Sequence, residues 1–289
     1  MSRCFRDTVT TNKFLLGLDE GTYDGVVCVA STSNHYDAQA MREIATSRKM
    51  GELLYVAEFD DVADPALPGA MDEALAQDIY GFLRAHDDED AEFQFVCDGS
   101  VSRSAGMLCA WRRLCGEDDL ALWANAANFS PNVLVYARLL AAGGTRLTKA
   151  QMRERELLKK MAFTRMMSGR GVHAMHLYER PWRQITSGDK SCELRRLDYK
   201  RRDIMAGDLV AFSLRGAPDS IVAADVLECR MSTSFEDLVC DEDVMASSGF
   251  GSAQEVLAAL EKIYGENEYP AVAFFLDVSE WERGSANLA

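Results

Sequence analysis

Proline, histidine and long apolar runs are scarce in this chain of 289 residues. With 6 prolines and 20 glycines, the chain is neither collagen-like nor proline-rich. No apolar run reaches the roughly 18 residues that a membrane-spanning helix requires, so we expect no membrane partner. The first residues lack the apolar core of a secretory signal peptide, which favours a cytoplasmic location.

The eight cysteines are few for a chain of this length, and no two of them form a C-x-x-C pair. Several lie within apolar runs, where a thiol acts as a small hydrophobic side chain, so we expect reduced thiols. Of the four histidines, only His173 and His176 are close in sequence, and three residues apart on a strand they face opposite sides. We therefore expect no metal ion, and no motif calls for a cofactor.

Charge is distributed unevenly along the chain. Acidic residues outnumber basic ones by 46 to 31, yet residues 151–202 carry 14 basic and only 6 acidic side chains. This distribution excludes a general nucleic-acid coat protein. The basic segment is either a local anion-binding surface or a solvated helix and linker, and the sequence leaves both interpretations open.

The order of predicted elements changes near the middle of the chain. Buried β-branched runs such as 25–30 first alternate with amphipathic helices, a pattern typical of an α/β domain with a parallel sheet between helices. Later, short strands dominate and indicate a small β-barrel of α+β type. We predict an α/β domain over residues 1–145, a helical linker over 146–172 and a barrel domain over 173–289.

The most informative segment of the first domain joins a predicted strand to a predicted helix. It begins with Cys97 and ends with Arg103, and the residues between them are Asp98, Gly99, Ser100, Val101 and Ser102. A loop of this length can turn its backbone amides inward, and with the helix N-terminus they form a phosphate-binding cradle. The same field stabilises a thiolate at Cys97, and Arg103 can bind two oxygens of a tetrahedral oxyanion.

These parts suit nucleophilic attack by sulfur on phosphorus through a phosphocysteine intermediate. The leaving oxygen needs a general acid, and Asp60 and Asp61 follow a parallel strand that ends at the same edge of the sheet. Ser104 is placed to hydrogen-bond the sulfur and to help it leave in the second step. We therefore predict an anion site that hydrolyses a phosphomonoester.

This domain resembles the cysteine-based tyrosine and dual-specificity phosphatases, and most closely a bacterial branch of predicted tyrosine phosphatases. The matching segments are 59–61, 96–105 and 131–136. The resemblance implies a phosphatase-like fold in which four residues have roles: Cys97 as nucleophile, Arg103 as phosphate clamp, Asp61 as general acid and Ser104 as thiolate helper.

Two positions depart from that family. The family often has a histidine before the nucleophile, where this chain has Val96, and it prefers glycine at the position of Ser100. A backbone position that needs a positive φ angle accepts serine only at a cost in free energy. The sequence thus leaves two alternatives, a weak phosphatase or a non-catalytic phosphate-binding adaptor with a degenerate loop.

In the second domain the informative residues are Tyr178, Lys190, Glu193 and Arg195. Alternation along a strand puts Glu193 and Arg195 on one face, and we expect them to meet Lys190 at one mouth of the barrel. With an aromatic ring nearby, such a group can hold a base edge, a ribose or a phosphate. On the residues alone, a surface ion-pair network is an equal alternative.

The pattern L-Y-x-x-P-W-x-x-I-x-S-G-x-K-x-x-E-x-R, which spans residues 177–195, resembles the ASCH domain of the PUA-like class. The resemblance implies a PUA-like barrel associated with RNA, with Lys190 and Glu193 lining its pocket and Arg195 beside them. Some members of this class hydrolyse RNA or modified nucleosides, so nucleoside amidohydrolase activity in the barrel is a further alternative.

Together these observations predict a two-domain cytoplasmic protein in which a phosphatase-like domain precedes an RNA- or nucleotide-binding barrel. The expected partners are a phosphorylated small molecule, nucleotide or protein for the first domain and RNA for the second. Whether the protein is an enzyme depends on the chemistry of Cys97.

Overall fold

The computed structural model describes residues 8–16, 23–33, 35–48, 50–88, 91–125, 129–166, 170–265 and 269–278. The fold is mixed α/β, as the sequence predicted, and the chain divides into two compact units, Met1–Thr148 and Lys149–Ala289. In the described part of the chain, no helix is both long enough and apolar enough to cross a lipid bilayer.

The first unit consists of short strands that alternate with helices. In chain order these are β1 (Val9–Thr10), α1 (Thr11–Leu16), β2 (Gly25–Ala30), α2 (His35–Ser47), a 3₁₀ turn (Gly51–Leu53), β3 (Leu54–Glu58), α3 (Glu73–Ala85), β4 (Phe93–Cys97), α4 (Arg103–Leu114), α5 (Leu120–Trp123) and α6 (Val133–Ala142). β-branched and aromatic residues make β2 and β4 fully buried strands. β1 and α1 were not predicted, because elements of two and six residues are too short to show a period.

The four strands form one parallel sheet in the order β1-β4-β2-β3. Cys28 of β2 pairs with Val56 of β3 on one side and with Val96 of β4 on the other. Because the carboxyl ends of parallel strands meet at one edge, the residues that follow these strands converge there. Ser31, Phe59 and Asp98 are the residues brought together in this way.

A close contact between α4 and α6 shapes the same edge. A Cβ atom on Gly106 of α4 would lie 2.8 Å from the carbonyl oxygen of Asn132, so only glycine allows this approach. The Asn132 side chain caps α6 by accepting hydrogen bonds from two backbone amides. The backbone amide of Asn132 donates to the Ser102 carbonyl, which holds the start of α6 against the loop that follows β4.

The second unit begins with a long helix and then contains mostly strands. Its elements are α7 (Lys149–Met166), β5 (Val172–Leu177), α8 (Glu179–Ser187), β6 (Cys192–Arg196), β7 (Leu209–Leu214), β8 (Ala217–Ser232), α9 (Phe235–Val239), α10 (Glu242–Ser247), α11 (Ala253–Tyr264) and β9 (Ala271–Val278). The helix α7, which the sequence analysis assigned to a linker, buries Leu158, Met161 and Ala162. It is counted within this unit.

The five strands form one sheet in the order β5-β7-β8-β9-β6, in which only β5 and β7 are parallel. The sheet curls into a half-barrel, where the sequence predicted a small β-barrel. The reason is that, among the described residues, no backbone ladder joins the edge strands β5 and β6. A side chain links them instead, because Arg195 of β6 donates from Nη2 to the His176 carbonyl of β5 at 2.9 Å.

Apolar residues cover both faces of this sheet. Ala273 and Phe274 are adjacent on β9, so their side chains point to opposite faces. Phe274 packs with Met175 and Phe212, while Ala273 belongs to a second cluster that α9 and α11 cover. On β6, Leu194 lies on the face that α11 covers, whereas Glu193, which pairs with Phe274, lies on the other face.

Candidate functional site

The loop that follows β4 brings a thiol and a hydroxyl together. Cys97 is the last residue of β4 and is only 2% exposed. Its Sγ lies 3.0 Å from the Oγ of Ser104, which belongs to the first turn of α4. The predicted contact between sulfur and hydroxyl is therefore present in the structure, on the predicted path from strand to helix.

The guanidinium of Arg103 is buried and already has three partners. Its Nη1 donates to the Phe59 carbonyl at 2.7 Å and to the Ser31 hydroxyl at 3.1 Å. Its Nη2 donates to the carboxylate of Asp98 at 2.6 Å, within the same loop. Asp98 also accepts hydrogen bonds from Thr11 and Ser31, so this carboxylate is held by donors from three segments.

The loop backbone takes a left-handed turn at Ser100. Its φ angle is 59°, the left-handed region that side chains other than glycine enter at a cost of about 1–2 kcal/mol. Its amide donates to the Cys97 carbonyl at 3.3 Å, so this amide is directed within the loop. Thr8 secures the turn, because its hydroxyl lies 2.6 Å from both the carbonyl oxygen and the hydroxyl of Ser100.

The two candidate acids behave differently. Hydrogen bonds from the hydroxyl and the amide of Thr32 lower the pKa of Asp60, which favours its carboxylate form. Asp61 instead accepts hydrogen bonds from Ser102 at 2.7 Å and Asn132 at 2.8 Å. Asp61 therefore contacts the Cys97–Arg103 loop through Ser102, and the charge of Arg103 also acts to lower the pKa of Asp60.

The second unit contains a cavity of about 90 Å³ at the gap between β5 and β6. The four predicted ligand-binding residues, Tyr178, Lys190, Glu193 and Arg195, all line it. Residues that were not predicted also line it: His176, Leu177, Pro181, Leu194, Arg215, Phe250, Val256, Ala259, Leu260, Ile263 and Tyr264. The cavity therefore combines a small group of charges with mostly apolar and aromatic walls.

The charges form one connected network around Glu193. Its two carboxylate oxygens lie 3.2 Å from Lys190 Nζ and 2.9 Å from Arg195 Nε. Lys190 and Glu193 are 3% and 6% exposed, and Lys190 also donates to the Ser248 carbonyl at 3.0 Å. With two cations and one anion, the network has a net positive charge and leaves the pocket suited to an anionic or electron-rich ligand.

Two opposing effects act on the pKa of Arg195. Burial acts to lower the pKa of this guanidinium, but the Glu193 carboxylate and the Tyr264 hydroxyl outweigh burial and raise it above its ordinary value. Arg195 therefore stays protonated despite its burial, and it also bridges the two edge strands.

Aromatic rings paired with arginine stand around the pocket. Tyr178 is 51% exposed, and the Arg215 guanidinium lies 4.5 Å from the centre of its ring and donates to its hydroxyl. Phe250 lies 5.1 Å from the Arg180 guanidinium and 5.8 Å from Lys190 Nζ. Each ring offers a flat surface beside a cation, which is favourable for stacking a base.

Sequence reasoning did not assign the loop around Phe250 or the helix α11 to the pocket. Gly249 has a φ angle of +74°, and a Cβ atom there would lie 3.1 Å from the Cβ of Lys190, so the loop packs directly on the lysine. The sequence contains two relevant signals. Glycines stand on both sides of Phe250, and the helix that follows has an apolar face with Leu260 and ends at Tyr264.

A buried carboxylate from α7 lies behind the pocket and was also not predicted. Glu154 accepts a hydrogen bond from the Ser213 hydroxyl and lies 3.2 Å from Nε2 of His176, which lines the cavity. The second histidine of the pair, His173, instead contacts Asp208 at 2.9 Å. The two histidines thus have separate partners.

Comparison with known proteins gives no family assignment. No protein-family model matches the chain, and no curated protein matches it significantly. Structural neighbours of the C-terminal part include ASCH-domain proteins.

Three solved structures describe this similarity. The hypothetical protein PH0355 is 25% identical with a TM-score of 0.33, over 37% of this chain and 99% of that one. PF0455 from Pyrococcus furiosus is 24% identical with a TM-score of 0.30, over 38% and 98%. A single-residue variant of ZmASCH from Zymomonas mobilis is 18% identical with a TM-score of 0.28, over 37% and 67%. At TM-scores this low, the likenesses establish neither the fold nor the function of this chain.

Proposed function

We propose that the half-barrel of the second unit is a PUA-like, ASCH-type module whose pocket binds a nucleotide or single-stranded RNA. The observation that carries this proposal is the buried network of Lys190, Glu193 and Arg195 facing a cavity. Removing three charges from water costs free energy, and ionisable groups gathered in a cleft are frequent at binding and catalytic sites.

The chemistry of the network matches a nucleotide. Glu193 can accept hydrogen bonds from the amino or imino groups of a base, while Lys190 and Arg195 can donate to its carbonyl oxygens or to a phosphate. The apolar wall that includes Leu260 and Ile263 can contact the flat faces of the ring. The exposed Tyr178 can stack on a neighbouring base of a single strand.

A fluorescence anisotropy titration with short, labelled single-stranded RNA tests this proposal. We expect Lys190→Ala and Arg195→Ala to weaken binding at least about tenfold, a change typical of losing a buried charged contact. Lys262→Ala, which removes an exposed lysine from α11, is the matched control and should leave the affinity unchanged. Unchanged affinity in both pocket variants, with folding verified by circular dichroism, would contradict the proposal.

We propose as a second candidate that the first unit hydrolyses phosphomonoesters through Cys97. The observation that supports it is the 3.0 Å contact between Cys97 Sγ and Ser104 Oγ, next to the buried Arg103. Sulfur would attack phosphorus, and the leaving oxygen would take a proton from Asp61. A water molecule that gives a proton back to Asp61 would then hydrolyse the phosphocysteine, releasing phosphate and restoring the thiolate.

Turnover of a small aryl phosphate tests this second candidate. Wild type should release the phenol, whereas Cys97→Ser should reduce the rate by about 100-fold or more. Cys109→Ser, which alters another buried cysteine of the same unit, should keep the wild-type rate. Equal rates for wild type and Cys97→Ser would exclude a cysteine nucleophile.

A further inference from the structure

An ion pair inside the Cys97–Arg103 loop occupies the guanidinium that an oxyanion would need. Arg103 is 4% exposed, and its Nη1 is bound to the Phe59 carbonyl and the Ser31 hydroxyl. Nη2 is bound to Asp98 at 2.6 Å. The arginine therefore has a carboxylate as its anionic partner, supplied by the chain itself.

The carboxylate of Asp98 is held where it is by further donors. Thr11 and Ser31 donate to its two oxygens at 3.4 and 3.2 Å, respectively. Its side chain is nevertheless 47% exposed, whereas that of Arg103 is 5% exposed, so the acid is the partner that faces solvent. A carboxylate presents oxygens much as a phosphate group does, and an intramolecular anion has the advantage of high local concentration.

We propose that Asp98 is an internal occupant of this anion site and sets its selectivity, so that a tetrahedral oxyanion binds only when Asp98 leaves Arg103. This proposal rests on the anion-binding function proposed above for the loop. A dianionic phosphate that approaches Arg103 meets the Asp98 carboxylate within a few ångströms and is repelled by it. Phosphate affinity is therefore low in the wild-type protein. It increases when one negative charge is removed at position 98.

Isothermal titration calorimetry with inorganic phosphate on the full chain tests the proposal. Asp98→Asn should bind phosphate at least tenfold more tightly than wild type, because the amide can no longer repel the anion. Asp98→Ser serves as a second variant that gives the same gain if the asparagine variant folds poorly. Adding Arg103→Ala to Asp98→Asn should abolish the gain, since the guanidinium is the group that is freed.

A matched charge control is available on α3 of the same unit. Asp78→Asn also removes one negative charge from an exposed position and should leave the phosphate affinity unchanged. Equal affinities in wild type and both Asp98 variants, or no measurable binding in any of them, would overturn the proposal. An equal gain in Asp78→Asn would overturn it too, because the effect would then be one of net charge.

The outcome also separates this proposal from the proposed catalysis. Tighter phosphate binding in Asp98→Asn without aryl phosphate turnover in any variant would leave Asp98 as the occupant of the anion site and reject the phosphatase reaction. Turnover in wild type, together with a phosphate affinity that Asp98→Asn does not change, would support the phosphatase reaction and reject Asp98 as the occupant of the anion site.

Discussion

Lys190 and Glu193 form an ion pair 3.2 Å long, in which the two side chains are only 3% and 8% exposed. Three residues apart in sequence, they are joined because Lys190 precedes β6 and Glu193 lies on it. Removing one member of such a pair leaves an uncompensated charge in a poorly hydrated place. The stability of the half-barrel and its ligand binding therefore depend on the same residues.

Glu193→Ala should destabilise the second unit by about 3–5 kcal/mol, since two cations lose their shared carboxylate. Urea unfolding followed by circular dichroism measures the free energy of unfolding. Glu179→Ala is the matched control, because its ion pair with Arg183 is exposed and worth less than about 1 kcal/mol. Similar losses in the two variants would show that the buried network has no special role.

Tyr178→Ala should weaken binding of single-stranded RNA by about 1–3 kcal/mol, the value of one stacked base. Tyr178→Phe keeps the ring and loses only the hydroxyl that Arg215 contacts, so it should bind nearly as wild type does. The comparison is made by fluorescence anisotropy at fixed ionic strength, because phosphate contacts are sensitive to salt. Equal losses in both variants would assign the effect to the hydroxyl and reject stacking.

Asp208 should make the second unit sensitive to acid. Burial acts to raise the pKa of Asp208, but hydrogen bonds from the Met205 amide, His173 and the Gly171 amide outweigh it and lower the pKa below its ordinary value. A lowered pKa in the folded state stabilises the protein above the ordinary pKa of aspartate, about 3.9, and this contribution is lost as pH falls through the folded-state value.

Asp208→Asn should therefore cost about 1–2 kcal/mol of unfolding free energy at neutral pH, and the difference from wild type should shrink below about pH 4. Urea unfolding at several pH values measures this difference. Asp203→Asn, at a side chain that is 76% exposed, should change stability little at any pH. A difference at position 208 that does not vary with pH would contradict the assignment.

Ser100 should tolerate glycine but not a β-branched residue. Its positive φ angle is unfavourable for side chains, so Ser100→Val should destabilise the first unit by about 2 kcal/mol. Ser100→Gly relieves the strain but loses the hydroxyl contact with Thr8, and the two effects should roughly cancel. Thermal unfolding of both variants checks this, and equal melting temperatures for them would contradict strain at this position.

Local patterns were sufficient to predict the strand and the helix on either side of the Cys97–Arg103 loop. The strand before Cys97 and the helix after it were expected from apolar runs, and α4 begins at Arg103, one residue before the predicted start at Ser104. Gly188 ends α8 in the left-handed conformation that favours glycine. These features depend on residues that are neighbours in the chain.

The partners of the site residues could not be predicted in the same way. The sequence indicated that Arg103 would bind an oxyanion, but not that Asp98 would bind Arg103, because loop conformation decides which donor meets which acceptor. The contact between Glu154 and His176 was likewise not predicted, because α7 was assigned to a linker. Such contacts join segments whose approach is determined by packing of the whole unit.

The amino-acid sequence by itself determined the alternation of strands and helices, the strand-to-helix loop from Cys97 to Arg103 and the spacing that puts Glu193 and Arg195 on one face of β6. Periodicity and turn chemistry act over a few residues, so they can be recognised in the sequence alone. Only the tertiary structure decided that Asp98 occupies Arg103 and that Phe250 and Tyr264 complete the pocket. Those contacts depend on how distant segments pack, which no local pattern records.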